Sequence, residues 1–296
     1  MIKAQVKSNI SKQEIEEYSK EVLNNIVNDE EFYQYLLKLN FNYDDITKFL
    51  ALFNDFRNDY YLEKKIKTYA DCVKYNKFTR INLIKDGEQV KKEYSTFKPF
   101  TDFLIYQNSF YMKDFDEQFD FLEFKNINNP TVKSLIKSEN TSKNWIYLHG
   151  TNYTGKTYAA ICFANTLIRR KHMKCAFTNV PKLFGELSKL YFGKENEKEE
   201  FERVLKVLGK IDILVFDDFG GEYKNTIIRD NILIPLLKDR ISRGQTTIFT
   251  SNFTPLQIKE MYRLNDAGGE IKAQQIVELL DVKVKQIIPT GSNPIY

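Results

Sequence analysis

Eight consecutive residues, Gly150-Thr151-Asn152-Tyr153-Thr154-Gly155-Lys156-Thr157, fit the pattern G-x-x-x-x-G-K-[ST] at every fixed position. With average residue usage a chance match in a chain of this length is on the order of 1%. A loop of this kind turns its backbone N–H groups, at the start of a helix, into a cradle for the β-phosphate of a nucleotide. Lys156 is placed to reach the β- and γ-phosphates, and the Thr157 hydroxyl to help hold Mg²⁺. Together with the following Tyr158, residues 150–158 form the expected nucleotide-binding segment, with ATP and Mg²⁺ as ligands.

Ile213-Leu214-Val215-Phe216-Asp217-Asp218 supplies the complementary half. Four apolar residues read as a buried strand, and the acids emerge at its carboxyl end, where parallel sheets place their ligands. Asp217, at an adjacent strand end, is expected to hold the Mg²⁺ shell with Thr157. Asp218 is expected to orient or polarise the attacking water. Thr250-Ser251-Asn252 closes a further strand in the same way, and the Asn252 amide is placed to hydrogen-bond the γ-phosphate or the water. The expected catalytic set is therefore Asp218, Asn252 and Lys156. Thr254 before Pro255 reads as a helix cap whatever Asn252 does. His149 and His172 are isolated and make poor metal ligands. The basic run from Arg169 to Lys174 ends a helix, where cations suit the dipole, and is also a candidate nucleic-acid contact.

These residues need a scaffold that brings strand ends together. From Trp145 onward strands and helices alternate: strands at 145–148, 174–178, 213–216 and 246–250, helices at 157–170, 180–191 and 231–242. Such alternation predicts an α/β fold, a mostly parallel sheet flanked by helices. The first part of the chain reads as a smaller, mainly helical domain. Ser11 and Glu14 make a capping-box pattern, Ile15, Tyr18, Val22 and Ile26 recur at helical spacing, and Ile46 to Ile66 continues likewise. Residues 72–98 suggest a β-hairpin that turns at Lys85-Asp86-Gly87. The expected division is a helical domain over 1–98, a linker with a lead-in helix near Thr131–Lys137 over 99–143, and the phosphate-loop domain over 144–296.

Composition narrows the classes. The 44 basic and 40 acidic residues leave a net charge of only +4, so any contact with nucleic acid must come from a local patch. The 23 Phe and 18 Tyr accompany abundant Lys, Asn and Ile, a bias that fits AT-rich coding better than a row of base-stacking rings. Cys72, Cys162 and Cys175 form no CxxC pair, which excludes a four-Cys zinc site or a disulfide framework within the chain. No apolar leader follows Met1, and the strongly apolar runs reach only about six residues, far short of the roughly 20 that span a bilayer. A cytoplasmic protein with no membrane partner is the expectation.

Tyr147-Leu148-His149-Gly150, the phosphate loop, Val180-Pro181-Lys182-Leu183-Phe184-Gly185-Glu186-Leu187, Asp217-Asp218-Phe219-Gly220-Gly221-Glu222 and Thr250-Ser251-Asn252-Phe253 occur in that order. Together they resemble the AAA+ ATPases of the DnaI/DnaC type that load the bacterial replicative helicase, with the DnaI branch the nearer. The resemblance is good over 145–280 and faint over 1–144. It implies an AAA+ domain that contacts single-stranded DNA and neighbouring subunits, and an N-terminal domain that binds the hexameric replicative helicase. Three positions depart from the family pattern. Tyr153 stands where the family usually has Gly, so a different loop path is expected, since Gly alone takes positive φ without strain. The family's N-terminal Cys/His zinc site keeps Cys72, but its other positions fall near Arg80 and Phe97, so no zinc is expected. The family's C-terminal arginine pair falls on Gln275 and Leu279, leaving Arg240, Arg243 or Arg263 as candidates for that role. Because an arginine finger can be worth about 10³–10⁵ in rate, slow hydrolysis is expected. A helicase loader in DNA replication is the leading reading. The alternatives are a nucleotide-binding adaptor with little or no hydrolysis, and a transposition helper ATPase.

Overall fold

The computed structural model describes residues 11–128, 130, 133 and 145–290. The chain forms two compact units, Met1–Ile105 and Tyr106–Tyr296.

In the first unit, α1 (Lys12–Val27) opens with the Ser11 hydroxyl accepting the Glu14 N–H while the Glu14 carboxylate accepts the Ser11 N–H. Helices α2 (Glu30–Lys38), α3 (Tyr43–Lys48), α4 (Leu50–Lys65) and α5 (Tyr69–Lys74) follow, then the antiparallel hairpin β1 (Thr79–Asp86) and β2 (Gln89–Thr96). The stretch read as one helix from Ile46 to Ile66 breaks at Phe49. Val22, Ile26, Phe32, Leu36, Ile46, Phe53 and Phe56 pack with Ile81, Leu83 and Val90 of the hairpin. Ile15 and Tyr18, expected on the same buried face, are 53% and 63% exposed instead and border an open groove that α1 shares with Thr47, Leu50 and Ala51. Asp59 is buried, yet it is satisfied by the Lys77 ammonium and the Ile81 N–H.

At the positions where the family resemblance puts zinc ligands, Cys72 and Phe97 share a small apolar cluster with Ile66, Leu62, Phe78 and Phe100. Arg80 pairs with Glu63. Among the described residues no three His, Cys, Asp or Glu side chains converge in a geometry suited to a metal ion.

The second unit is built, among the described residues, on a six-stranded parallel sheet. Its strands are β3 (Phe110–Lys113), β4 (Trp145–His149), β5 (Cys175–Asn179), β6 (Ile213–Asp217), β7 (Thr246–Ser251) and β8 (Val284–Pro289), in the order β3-β5-β6-β7-β4-β8. The four central strands are buried along almost their whole length because helices cover both faces of a parallel sheet. The helices are α7 (Lys156–Lys171), α8 (Val180–Tyr191), α9 (Glu195–Lys210), α10 (Ile234–Arg243), α11 (Pro255–Tyr262) and α12 (Gly269–Lys283), while α6 (Lys98–Gln107) spans the division between units. Tyr147, Phe184, Phe216, Phe219 and Phe249 form the heart of the core. A π-helical segment, Ile228–Leu233, leads into α10 directly before Pro235. The proline ring cannot accept a tight preceding turn, and its missing N–H leaves an α-helical bond unmade.

Much of the expected linker belongs to this unit. Phe110 pairs with Cys175 at the sheet edge, and Phe115 stacks edge-on against Phe177. Asp120 is buried, with Lys113 Nζ at 2.6 Å, the Tyr106 hydroxyl at 3.2 Å and the Gln107 amide at 2.8 Å. The alternation of aromatics and acids over 114–121 thus reflects a covering layer with one internal carboxylate. The lead-in helix expected near Thr131–Lys137 lies, Lys133 apart, outside the described residues.

Candidate functional site

β4 drives directly into the glycine loop, and the loop into α7. Gly155, at φ 80, is the N-cap of α7 and offers no side chain to it, so the first-turn amides have no side-chain acceptor. Such a terminus, with its positive dipole end, favours an anion. The loop is tied down on both sides: Gly150 N donates to Ser251 O at 3.2 Å, and Thr290 N to His149 O at 2.9 Å. Buried Thr154 bonds Thr151 O at 2.9 Å and the Thr290 hydroxyl at 2.6 Å. Tyr153 does not steer the loop away from positive φ, contrary to expectation. It adopts φ 63 itself and is 72% exposed, a conformation that costs an L side chain about 1–2 kcal/mol.

A cleft of about 510 Å³ opens beside the loop, lined by Asn152, Tyr153, Thr154, Gly155, Lys156, Thr157, Tyr158, Asp218, Thr250 and Asn252. The expected loop residues and the three expected catalytic residues therefore border one cavity, with Gly150 and Thr151 just behind it. Lys156 is buried, and its ammonium lies across the loop, 2.9 Å from Gly150 O and 2.7 Å from Thr151 O. Burial lowers its pKa, against the opposing pull of Asp217 and Asp218. Burial also lowers the pKa of His149, with Lys156 adding to the effect.

Asp217 stands at the end of β6, but β6 is not adjacent to β4, contrary to expectation. β7 lies between them. The separation is bridged through threonines: Asp217 Oδ1 accepts the Thr157 hydroxyl at 2.7 Å and the Thr250 hydroxyl at 2.6 Å. Thr250 Oγ1 in turn accepts Asp218 N–H at 3.0 Å. Thr250 was visible as part of a strand end, but its role depends on the register of β6 against β7, which is a non-local contact. Asp218 adopts φ 57. Burial and the neighbouring Asp217 raise its pKa, while Lys156 and Lys224 oppose the rise. Lys224, which no motif in the sequence marks, reaches back to Gly220 O.

The arginine candidates separate clearly. Arg240 is fully buried, and its guanidinium donates to Leu208 O, Ile211 O, Thr246 O and the Thr247 hydroxyl, so it braces α9, α10 and β7 rather than facing a cleft. Arg243 pairs with Asp239, and Arg263 with Glu260 and Glu270, with 41% and 57% of their side chains exposed. Gln275 and Leu279 lie half-buried on α12. Within the basic run, Arg169 packs 4.2 Å from the Tyr106 ring and donates to Asp120 O, so it is a structural member of the unit.

Comparison with known proteins follows the same residues. The "Replicative helicase loader DnaI" of Bacillus subtilis (strain 168) is 28% identical over 166 residues, which are 55% of this chain and 51% of that protein. The chain thus matches about half the length of this curated relative. A crystal structure of DnaI superposes with a TM-score of 0.50 at 21% identity, over 64% of this chain and 99% of that one, a likeness of fold. The crystal structure of the DnaC helicase loader gives a TM-score of 0.44 at 17% identity, over 58% of this chain and 99% of that one. The profile of the family described as "IstB-like ATP binding protein" matches residues 70–267, well over half the chain, and takes in the glycine loop, both strand-end acids and Asn252. The chain belongs to the IstB-like ATP-binding protein family.

Proposed function

We propose that this protein is a slow, Mg²⁺-dependent ATPase that works as a helicase loader in DNA replication, placing the replicative helicase on single-stranded DNA under nucleotide control. The observation that carries the nucleotide half is the hydroxyl–carboxylate relay at the mouth of the loop, Thr157 to Asp217 to Thr250. It gathers hard oxygen donors at the first turn of α7, and Mg²⁺ in such sites takes one or two protein oxygens and completes its shell with phosphates and water.

In this reading the amides of residues 150–158 cradle the phosphates and Lys156 swings from the loop carbonyls to the β- and γ-phosphates. Thr157 and Asp217 would hold the metal, which supplies charge neutralisation for the leaving phosphate. Asp218 orients the attacking water and Asn252 hydrogen-bonds the γ-phosphate. The loader half draws on the name of the Bacillus relative. The partners would be the hexameric helicase, met through the N-terminal residues 1–98, single-stranded DNA, and further copies of this chain through residues 144–296. A location in the cytoplasm suits that role, and among the described residues no helix is long and apolar enough to cross a membrane.

A second reading, a nucleotide-binding adaptor that hydrolyses little or nothing, draws on one observation: Arg240 is locked in the core and Gln275 and Leu279 carry no charge, so arginine supply to the γ-phosphate is thin. Turnover by the full chain, with and without single-stranded DNA, separates the two. DNA-stimulated phosphate release supports the loader, and none under any condition supports the adaptor. Recovery of the replicative helicase with the full chain as bait tests the partner directly, and its failure with either nucleotide state would remove the loader reading.

A further inference from the structure

The acids at the end of β6 ride on a turn that is held from below by buried polar side chains. Gly220 takes φ 95, and a Cβ there would stand 2.6 Å from Ile258 Cδ1 and 2.8 Å from Phe253 Cδ2. At Gly221 a Cβ would stand 2.5 Å from Asp218 Oδ2. The backbone of the turn is therefore pressed between α11 and the Asp218 carboxylate, with no room for slack.

Glu222 closes this turn from inside the core. Its Oε2 accepts the Gly220 N–H at 2.7 Å, and its Oε1 accepts the Tyr262 hydroxyl. Glu222 is 3% exposed and Tyr262 0%, so the carboxylate has few alternatives to these two donors. Burial and the Glu222 charge raise the Tyr262 pKa well above its ordinary value, which keeps the hydroxyl a donor. Tyr262 is fixed at its other end as well. Its carbonyl accepts Arg229 Nη1 at 3.3 Å, and Arg229, fully buried, is paired with Asp230 and Asp266. Above the turn, Asp218 sits in the left-handed region, which a non-glycine residue keeps only where its surroundings over-determine it.

We infer that Glu222 and Tyr262 are positioning residues for Asp218: their buried hydrogen bond locks the turn that aims its carboxylate at the water. The inference rests on the ATPase reading above. The pair touches neither the glycine loop nor the Thr157–Asp217 relay, so it governs the rate of hydrolysis and leaves nucleotide affinity alone. A shift of about 1 Å in a reacting group can cost about 10²-fold in rate.

The test uses the full chain carrying Tyr262→Phe, Glu222→Gln or Glu222→Asp. Thermal midpoint, Mg-ATP affinity and single-turnover hydrolysis are measured for the parent and each variant. Tyr262→Phe is expected to bind Mg-ATP within about two-fold of the parent while its single-turnover rate drops about ten-fold or more. Glu222→Gln can still accept from Gly220 N–H and donate to the Tyr262 oxygen, and is expected to keep most of the rate. Glu222→Asp, one methylene short, should lose rate with affinity kept, and it supplies the comparison if Tyr262→Phe fails to fold. A parental single-turnover rate in both Tyr262→Phe and Glu222→Asp would overturn the inference. So would rate, affinity and midpoint falling together. A parent that does not hydrolyse, or an Asp218→Asn variant as fast as the parent, removes the ATPase reading and the inference with it. Those two results are seen before any Glu222 or Tyr262 variant is made.

Discussion

One carboxylate oxygen, Asp217 Oδ1, accepts two threonine hydroxyls, and one of those threonines also holds the backbone of the next acid. Thr250→Val keeps the shape and removes this hub. Asp217 loses a donor and Asp218 N–H an acceptor, each worth about 1 kcal/mol or somewhat more, so Mg-ATP affinity should fall about 5- to 30-fold by calorimetry at fixed Mg²⁺. Unchanged affinity would show that the relay does not carry the metal site. The pH dependence follows from the sign of the Asp218 shift. A group that orients or polarises water must be ionised, and burial beside Asp217 raises its pKa, so hydrolysis should be lost on acidification at a pH above the ordinary aspartate range. Lys224 opposes that rise, so Lys224→Met should carry the acid limb further up in pH, and a shift downward would contradict the assignment. The glycine loop, Asp217 and Asp218 were legible in the sequence because their chemistry demands fixed residue types at short spacing. Thr250 and Lys224 were not, because a threonine at a strand end and a lysine in a turn have many ordinary uses.

At the scale of elements, alternation from Trp145 onward gave the right kind of sheet but not its order. β4, β5, β6 and β7 are short runs buried on both faces, mainly apolar in β4 and β6 and with buried Thr or Ser among the apolar residues in β5 and β7. Which strand lies beside which is decided by contacts far apart in the chain, so β7 between β4 and β6 could not be read. β3 escaped because four partly buried residues at a sheet edge leave no periodic trace. α9 has a strongly sided pattern that went unread among its charges. Arg240 shows how one residue type serves opposite ends: offered by the sequence as a mobile cation, it is spent on three carbonyls and a hydroxyl at the junction of α9, α10 and β7. Arg240→Met should destabilise the second unit by about 2–4 kcal/mol in urea, because buried carbonyls lose their donors. Arg243→Ala, on an exposed i,i+4 pair with Asp239, should move the midpoint by less than about 0.5 kcal/mol. Equal effects would place Arg240 outside the core.

On the scale of the whole molecule, each compact unit carries its own apolar core, and the cleft belongs wholly to the second. Thermal unfolding should therefore resolve two transitions, of which only one responds to nucleotide. At a hundred times its dissociation constant Mg-ATP adds about 2.7 kcal/mol to the unit that binds it, enough to raise that midpoint by several degrees. Both transitions rising together would mean that the units unfold as one. The N-terminal unit was legible as helical and as carrying a hairpin, since caps and turn residues act locally. Its boundary was not, because α6 and the aromatic stretch after it are claimed by packing rather than by composition. The most direct test of the whole account is Mg-ATP affinity in the parent, Lys156→Ala and Asp217→Asn. The account predicts binding in the parent, a loss of at least about a hundredfold in Lys156→Ala, and in Asp217→Asn a loss seen with Mg²⁺ but not in its absence. Parental affinity in Lys156→Ala would contradict it.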